Sequence, residues 1–195
     1  MTRRSLSLVV LFMVLSALPL SASQFIEMPF DKVAREATLV VQGTIGETFS
    51  RWDDAHEVIY TYATVNVSRY FGESTGPDTV LIREVGGTVD GYTMEAIGFP
   101  TIRSGERVVL LLSQWEGSTD YRIHAFNQGK YLVRNIGGIE VLVADRVQQG
   151  HARLETPDRE VITQAVGEPE LTVDEFAGMV ESARAGHDVD FGKRR

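Results

Sequence analysis

The sequence predicts a mainly β domain: a small, closed or nearly closed β-barrel of the OB type, with five to six strands, a short N-terminal helix and a C-terminal helix. A β-sandwich is the alternative that the same strand content allows. Three observations carry the prediction. Short runs rich in Val, Ile, Leu, Tyr and Thr recur across residues 39–143, separated by clusters of Gly, Ser, Asn, Asp and Pro. Two stretches, one at each end of that region, instead repeat their apolar residues at three- and four-residue spacing. The composition, 195 residues with 43% hydrophobic and 24% charged, is that of one globular domain with appendages.

The first helix follows from Phe30, Val33, Ala34 and Ala37, which share a face, while Asp31, Lys32, Arg35 and Glu36 take the other. Residues 39–45 make a first strand, and Gly43 inside it implies a bulge or a close backbone approach. A hairpin loop over residues 51–57 leads to a longer strand over 58–70. There Ile59, Ala63, Val65 and Val67 alternate with Tyr60, Tyr62, Thr64 and Asn66, so the first set faces a core and the second faces out. Turn-forming residues 72–78 precede a strand over 79–85, and a glycine-punctuated stretch follows over 86–98. Residues 107–112 are almost continuously apolar, which marks a central strand buried on both faces. Residues 122–126 and 130–133 form the next paired β region, broken at Asn127-Gln128-Gly129. A last hairpin turns at Gly137-Gly138 and runs to Val143.

Past this barrel domain, residues 24–144, the sequence becomes charged and Gln-rich, with Pro157 and Pro169, and reads as a polar connection over 145–170. The C-terminal helix, residues 171–186, carries its own signals. Thr172 and Glu175 stand at capping-box spacing, Phe176, Met179, Val180 and Ala183 form an apolar stripe, and Gly186 ends it. So short a stripe is unstable alone and has to dock, with the barrel as the expected surface. Residues 187–195 are a tail.

Arg3 and Arg4, an apolar run over residues 8–20, and then Ser21, Ala22 and Ser23 occur in the order of a secretory signal peptide. Ser16 and Pro19 interrupt the run, which is too short to span a bilayer. The expectation is cleavage after residues 1–23, a periplasmic or secreted product, and no integral membrane segment after cleavage. Nineteen Lys and Arg against 27 Asp and Glu give a formal charge of −8, and losing Arg3 and Arg4 makes the mature chain more acidic still. That balance argues against a nucleic-acid partner held by bulk positive charge. With no Cys there is no thiolate nucleophile, zinc-cysteine site or iron-sulfur ligation.

The segment order across residues 30–133 resembles a group of uncharacterised exported bacterial proteins. The residues that carry the resemblance are Ala37 to Ile45, Ser50-Arg51-Trp52, Ile59-Tyr60-Thr61, Gly86-Gly87, Gly98-Phe99-Pro100, Ser104 to Val108 and Asn127 to Tyr131. Tyr70-Phe71-Gly72-Glu73 departs from the Leu-Lys-Gly of that group. The strand plan is also similar to the netrin-like and tissue-inhibitor-of-metalloproteinase OB-barrels, in which a strand bearing a Gly like Gly43 leads to a long second strand. Those inhibitors occupy a protease zinc with an amino-terminal cysteine. This chain has none, so that chemistry does not carry over.

Asp53, Asp54, His56 and Glu57 are the densest polar cluster and offer oxygen and imidazole donors to a divalent ion, but their spacing fits no calcium loop and reads as a solvated hairpin tip. The four histidines are scattered singly, and His124 reads as a barrel-surface residue. There is no Gly-x-Ser-x-Gly elbow, and no helix follows Gly86-Gly87 or Gly137-Gly138 to make a phosphate site. Four aromatics remain as candidate protein-binding residues: Tyr60 and Tyr62 on the outward face of the second strand, and Trp52 and Trp115 near loops. Aromatics on a barrel surface mark recognition unless the terminal helices cover them. The expected function is an exported, non-catalytic, cofactor-free module of the bacterial envelope or secretome that binds another protein. A metal-dependent enzyme and a structural envelope component are the alternatives.

Overall fold

Strand β1 (Leu39–Trp52) pairs with β2 (Ile59–Tyr70), β2 with β3 (Thr79–Val85), and two later strands, β6 (Arg107–Gln114) and β7 (Tyr121–Ile123), return the sheet to β1. The circuit β1-β2-β3-β7-β6-β1 closes a five-stranded barrel of the OB type. Its neighbours are antiparallel except at the β3–β7 seam, where Ile82 lies opposite Tyr121 in parallel. The computed structural model describes residues 27–96, 98–145 and 171–189. The leader over 1–23, the connection over 146–170 and the last six residues of the tail lie outside them. Among the described residues no helix is long and apolar enough to cross a membrane.

The barrel has the five strands expected at the lower bound, and among the described residues five further strands lie outside it. Strands β4 (Gly87–Val89) and β5 (Tyr92–Met94) form a separate hairpin, while β8 (Lys130–Ile136), β9 (Ile139–Ala144) and β10 (Leu171–Thr172) extend the main sheet from β6. In the small hairpin Asp90 (φ 51°) and Gly91 (φ 82°) are both left-handed, the two-residue turn that Asp-Gly favours. The expected pairing of residues 122–126 with 130–133 takes a different form. Both β7 and β8 pair with one edge of β6, β7 at its end and β8 at its start, and a 3-10 turn, Phe126–Gly129, carries the chain from one to the other. That turn requires Gly129, since a Cβ there would lie 2.2 Å from the His124 carbonyl oxygen.

The first hairpin is also longer than its sequence suggests. Arg51 and Trp52 stay in β1 because each has a cross-strand partner, Tyr60 and Ile59, and the loop shrinks to residues 53–58. Gly43 is both bulge and close approach: the β1–β2 register shifts there, and a Cβ would meet Asn66 O at 2.4 Å.

Two cores share β6. Val108, Leu110 and Leu112 point into the barrel with Leu39, Val41, Val65, Val80 and Ile82. Val109 and Leu111 point outward, beneath helices α1 (Phe30–Glu36) and α2 (Val173–Arg184), with Val40, Val133 and Leu142. Helix α2 starts at the expected box: Thr172 Oγ1 accepts from the Glu175 N–H at 3.2 Å, and Glu175 Oε2 accepts from the Thr172 N–H at 3.0 Å. Its stripe docks on the barrel. Phe176 is fully buried, with the rings of Phe30, Phe71 and Tyr131 at 5.6, 5.5 and 5.5 Å. Arg184 then donates to Ala34 O, Ala37 O and Ser74 Oγ, placing a cation at the last carbonyls of α1.

Replacing Phe176 with Ala is expected to cost about 3–5 kcal/mol in denaturant unfolding, because transfer and cavity terms add where three rings meet. A loss below about 1 kcal/mol would show that the ring does not anchor the helix.

Candidate functional site

Register decides which aromatics meet. Ala63 and Val65 face the barrel interior, so Tyr60 and Tyr62 on the other parity face out, as their alternation implies. Phe49 on β1 lies opposite Tyr62, and Tyr62 lies opposite Arg83 on β3; in the next row Arg51 lies opposite Tyr60. The parallel Ile82–Tyr121 pair then brings Arg122 on β7 alongside Arg83. A band of alternating rings and guanidinium groups therefore crosses four strands of the outer barrel wall.

The contacts within the band are ring–ring and guanidinium–ring contacts. Phe49 lies flat on Tyr62, with centroids 5.2 Å apart and planes 6° apart, while the Arg51 guanidinium sits 4.5 Å above the Tyr62 ring and donates to its hydroxyl at 3.0 Å. Trp115, on the β6–β7 loop, presents an edge to Tyr60 at 6.1 Å, and its indole N–H donates to Arg83 O at 3.0 Å. Arg83 lies 5.2 Å from the Tyr60 centroid and 4.7 Å from that of Trp115, and Arg122 lies 5.0 Å from the Trp115 ring. Beside Trp115 the loop forms a shallow depression lined by Gln114, Glu116, Gly117, Ser118 and Thr119.

Three of the four candidate aromatics, Tyr60, Tyr62 and Trp115, thus belong to one surface, and Trp52 does not. Trp52 has the parity of Ser50, Thr61 and Ile59, on the side roofed by the β4–β5 hairpin. There it stacks on His56 at 5.9 Å and meets Tyr92 edge-on at 6.0 Å. Nor do the terminal helices cover the band. Tyr62 is only 5% exposed because Phe49 and Arg51 lie on it, and Phe49 itself remains 54% exposed. Phe49, Arg51, Arg83 and Arg122 are members that inspection of the sequence missed; the signal for them is register, which a single strand does not carry.

The charges on the band are held by rings more than by counter-ions. Arg83 has Asp120 at 3.9 Å, and among the described residues Arg51 and Arg122 have no carboxylate within 4.0 Å. Elsewhere Arg35, Arg69, Arg103 and Arg107 pair with Asp31, Asp174, Glu106 and Glu140. Arg51 is pushed above its ordinary value first by the Tyr62 hydroxyl and then by Asp54 and Asp120 at longer range.

The acidic cluster at the first hairpin is a turn. Asp53 Oδ1 accepts from the Glu57 and Val58 N–H groups at 2.7 and 3.0 Å, which holds its carboxyl below the usual range, and His56 adopts φ 57°. No group of three His, Asp or Glu able to hold a metal ion is found among the described residues. His124 follows β7, its Nδ1 2.6 Å from Ser113 Oγ and its Nε2 3.7 Å from Glu36 Oε2. Burial lowers its pKa against the opposing pull of Glu36. These contacts tie the turn after β7 to β6 and α1.

Glu84 has the parity of Val80 and Ile82, so its carboxyl points into the barrel, where it accepts from the Ile123 N–H across the β3–β7 seam. Burial pushes it up to about 8, against the Ile123 hydrogen bond and Arg122. No protein-family model matches the chain, and no curated protein or solved structure does either.

The Glu84 shift has a definite sign. A folded-state value of about 8 against an ordinary 4.5 means that its contribution to stability is complete below about pH 4.5 and is lost as pH rises toward 8. The melting-temperature difference between the native protein and Glu84→Gln should therefore move steadily against the native protein from about pH 5 to pH 8, then level off. A difference independent of pH would show that the carboxyl is ionised throughout.

Proposed function

We propose that the protein is an exported, non-catalytic module of the bacterial envelope or secretome, and that it binds another protein through the outer face of β1, β2, β3 and β7. The observation that supports this reading is the band itself: Trp, Tyr and Arg, the residue types that dominate interface hot spots, packed against one another on a barrel wall the helices leave open. This packing fixes the side chains before any partner arrives. Less rotamer freedom is then lost on association, which favours recognition over mere solvation. The order of basic, apolar and small residues at the start of the sequence supports export.

The test is capture from an envelope extract with the purified protein as bait, followed by titration of the partner. Trp115→Ala removes the ring shared by Tyr60, Arg83 and Arg122 and should weaken binding by about 2 kcal/mol or more, roughly thirtyfold. Arg103→Gln, outside the band, should bind like the native protein. Unchanged affinity in Trp115→Ala, with the fold intact by its melt, would contradict the proposal.

A further inference from the structure

We propose that the segment bound by this face is acidic and extended, a stretch of partner chain whose alternate carboxylates meet Arg51, Arg83 and Arg122. The inference rests on the protein-binding reading above and adds the chemistry of what is bound. A guanidinium stacked face-on against a ring keeps its in-plane N–H groups at its edges, and those edges suit a carboxylate in bidentate geometry. On this face the guanidinium carbons of Arg51, Arg83 and Arg122 lie 4.5, 4.7 and 5.0 Å from ring centroids, and the only carboxylate within 4.0 Å of any of them among the described residues is Asp120, 3.9 Å from Arg83. In a chain of net charge −8, three under-neutralised arginines on one wall are a local reversal of sign.

Spacing supports an extended ligand. Strands in a sheet lie about 4.8 Å apart, and Arg51 shares the row of Tyr60 and Val85, two residues along from the row of Tyr62 and Arg83, so Arg51 lies about 12 Å from Arg83 on β3, and Arg83 about 5 Å from Arg122 on β7. An extended chain advances about 3.3 Å per residue, so acidic residues at alternate positions over seven residues cover about 20 Å on one side, enough to span all three arginines. Apolar residues between them would meet Phe49, Tyr60 and Trp115. The global charge separates a short acidic segment from a polyanion: the acidic chain repels a long nucleic acid or anionic polysaccharide, whereas a few carboxylates within a Debye length of about 8 Å feel chiefly the local arginines. Glu116 and Asp54, on the flanking loops, limit the positive region at either end.

The probe is a fluorescein-labelled nonapeptide of alternating Glu and Val, followed by anisotropy at low ionic strength with the purified protein. Its controls are the Gln-Val peptide of the same length and a single-stranded thymidine oligonucleotide. The Glu-Val peptide should bind at least tenfold more tightly than either control and should weaken as salt is added. Arg51→Gln and Arg122→Gln should each reduce binding several-fold, and Arg103→Gln should not. Equal binding of the Gln-Val peptide, tighter binding of the oligonucleotide, or no binding up to about 1 mM would overturn the inference. Partner capture that depends on Trp115, combined with indifference to the acidic peptide, refutes the acidic segment alone. Capture indifferent to Trp115 refutes the protein-binding reading beneath it.

Discussion

Strand β6 is the element on which the rest of the molecule depends. Water is excluded from both of its faces: Val108, Leu110 and Leu112 fill the barrel, and Val109 and Leu111 fill the space beneath the helices. Both of its edges are paired as well, one with β1 and the other with β7 and then β8. A strand so placed has no polar face to offer solvent, which is why its sequence is continuously apolar rather than alternating. Because β6 belongs to two cores, the helices have a fixed place, against its outer side and that of β8 and β9. The opposite wall, where residues 47–52 of β1 and 59–64 of β2 meet β3 and β7, receives no helix. On that wall the large side chains cover one another instead.

Two buried ionisable groups show different solutions to one constraint. Lys130 is 1% exposed and donates from Nζ to Thr101 O at 2.6 Å and to Glu106 Oε2 at 2.7 Å, with the Asp145 carboxylate as a second ion-pair partner at 2.7 Å. Glu84 has one backbone donor and no cation in direct contact, so it answers burial by holding its proton. It does so at the seam where only Ile82 and Tyr121 pair β3 with β7, which makes its carboxyl a second fastening for barrel closure.

Much of the fold was legible in the sequence because the strongest signals are local. The unbroken apolar run of β6, the Thr172–Glu175 box and the alternation of β2 each specify an element without reference to the others. Gly43 could be read for the same reason, since a glycine inside a strand has few explanations. What stayed hidden depends on partners remote in sequence. Trp52 and Tyr60 look equivalent along the chain, yet the β1–β2 register sends them to opposite sides. Arg51, Arg83 and Arg122 come from three strands and meet only when the barrel closes. Two omissions were readable after all: Asp90-Gly91 between Val89 and Tyr92 is a hairpin signal, and Glu84 shares the parity of Val80 and Ile82.

Native-state hydrogen exchange tests most directly whether β6 binds barrel and helices into one unit. The amides of Val109 and Leu111, of Val65 and Ile82 in the barrel, and of Val180 in α2 should exchange only through global unfolding, with a common free energy and a common denaturant dependence. Exchange of Val180 at a clearly lower free energy, with the barrel amides still protected, would show the helical layer opening as a separate unit and would contradict the shared role of β6.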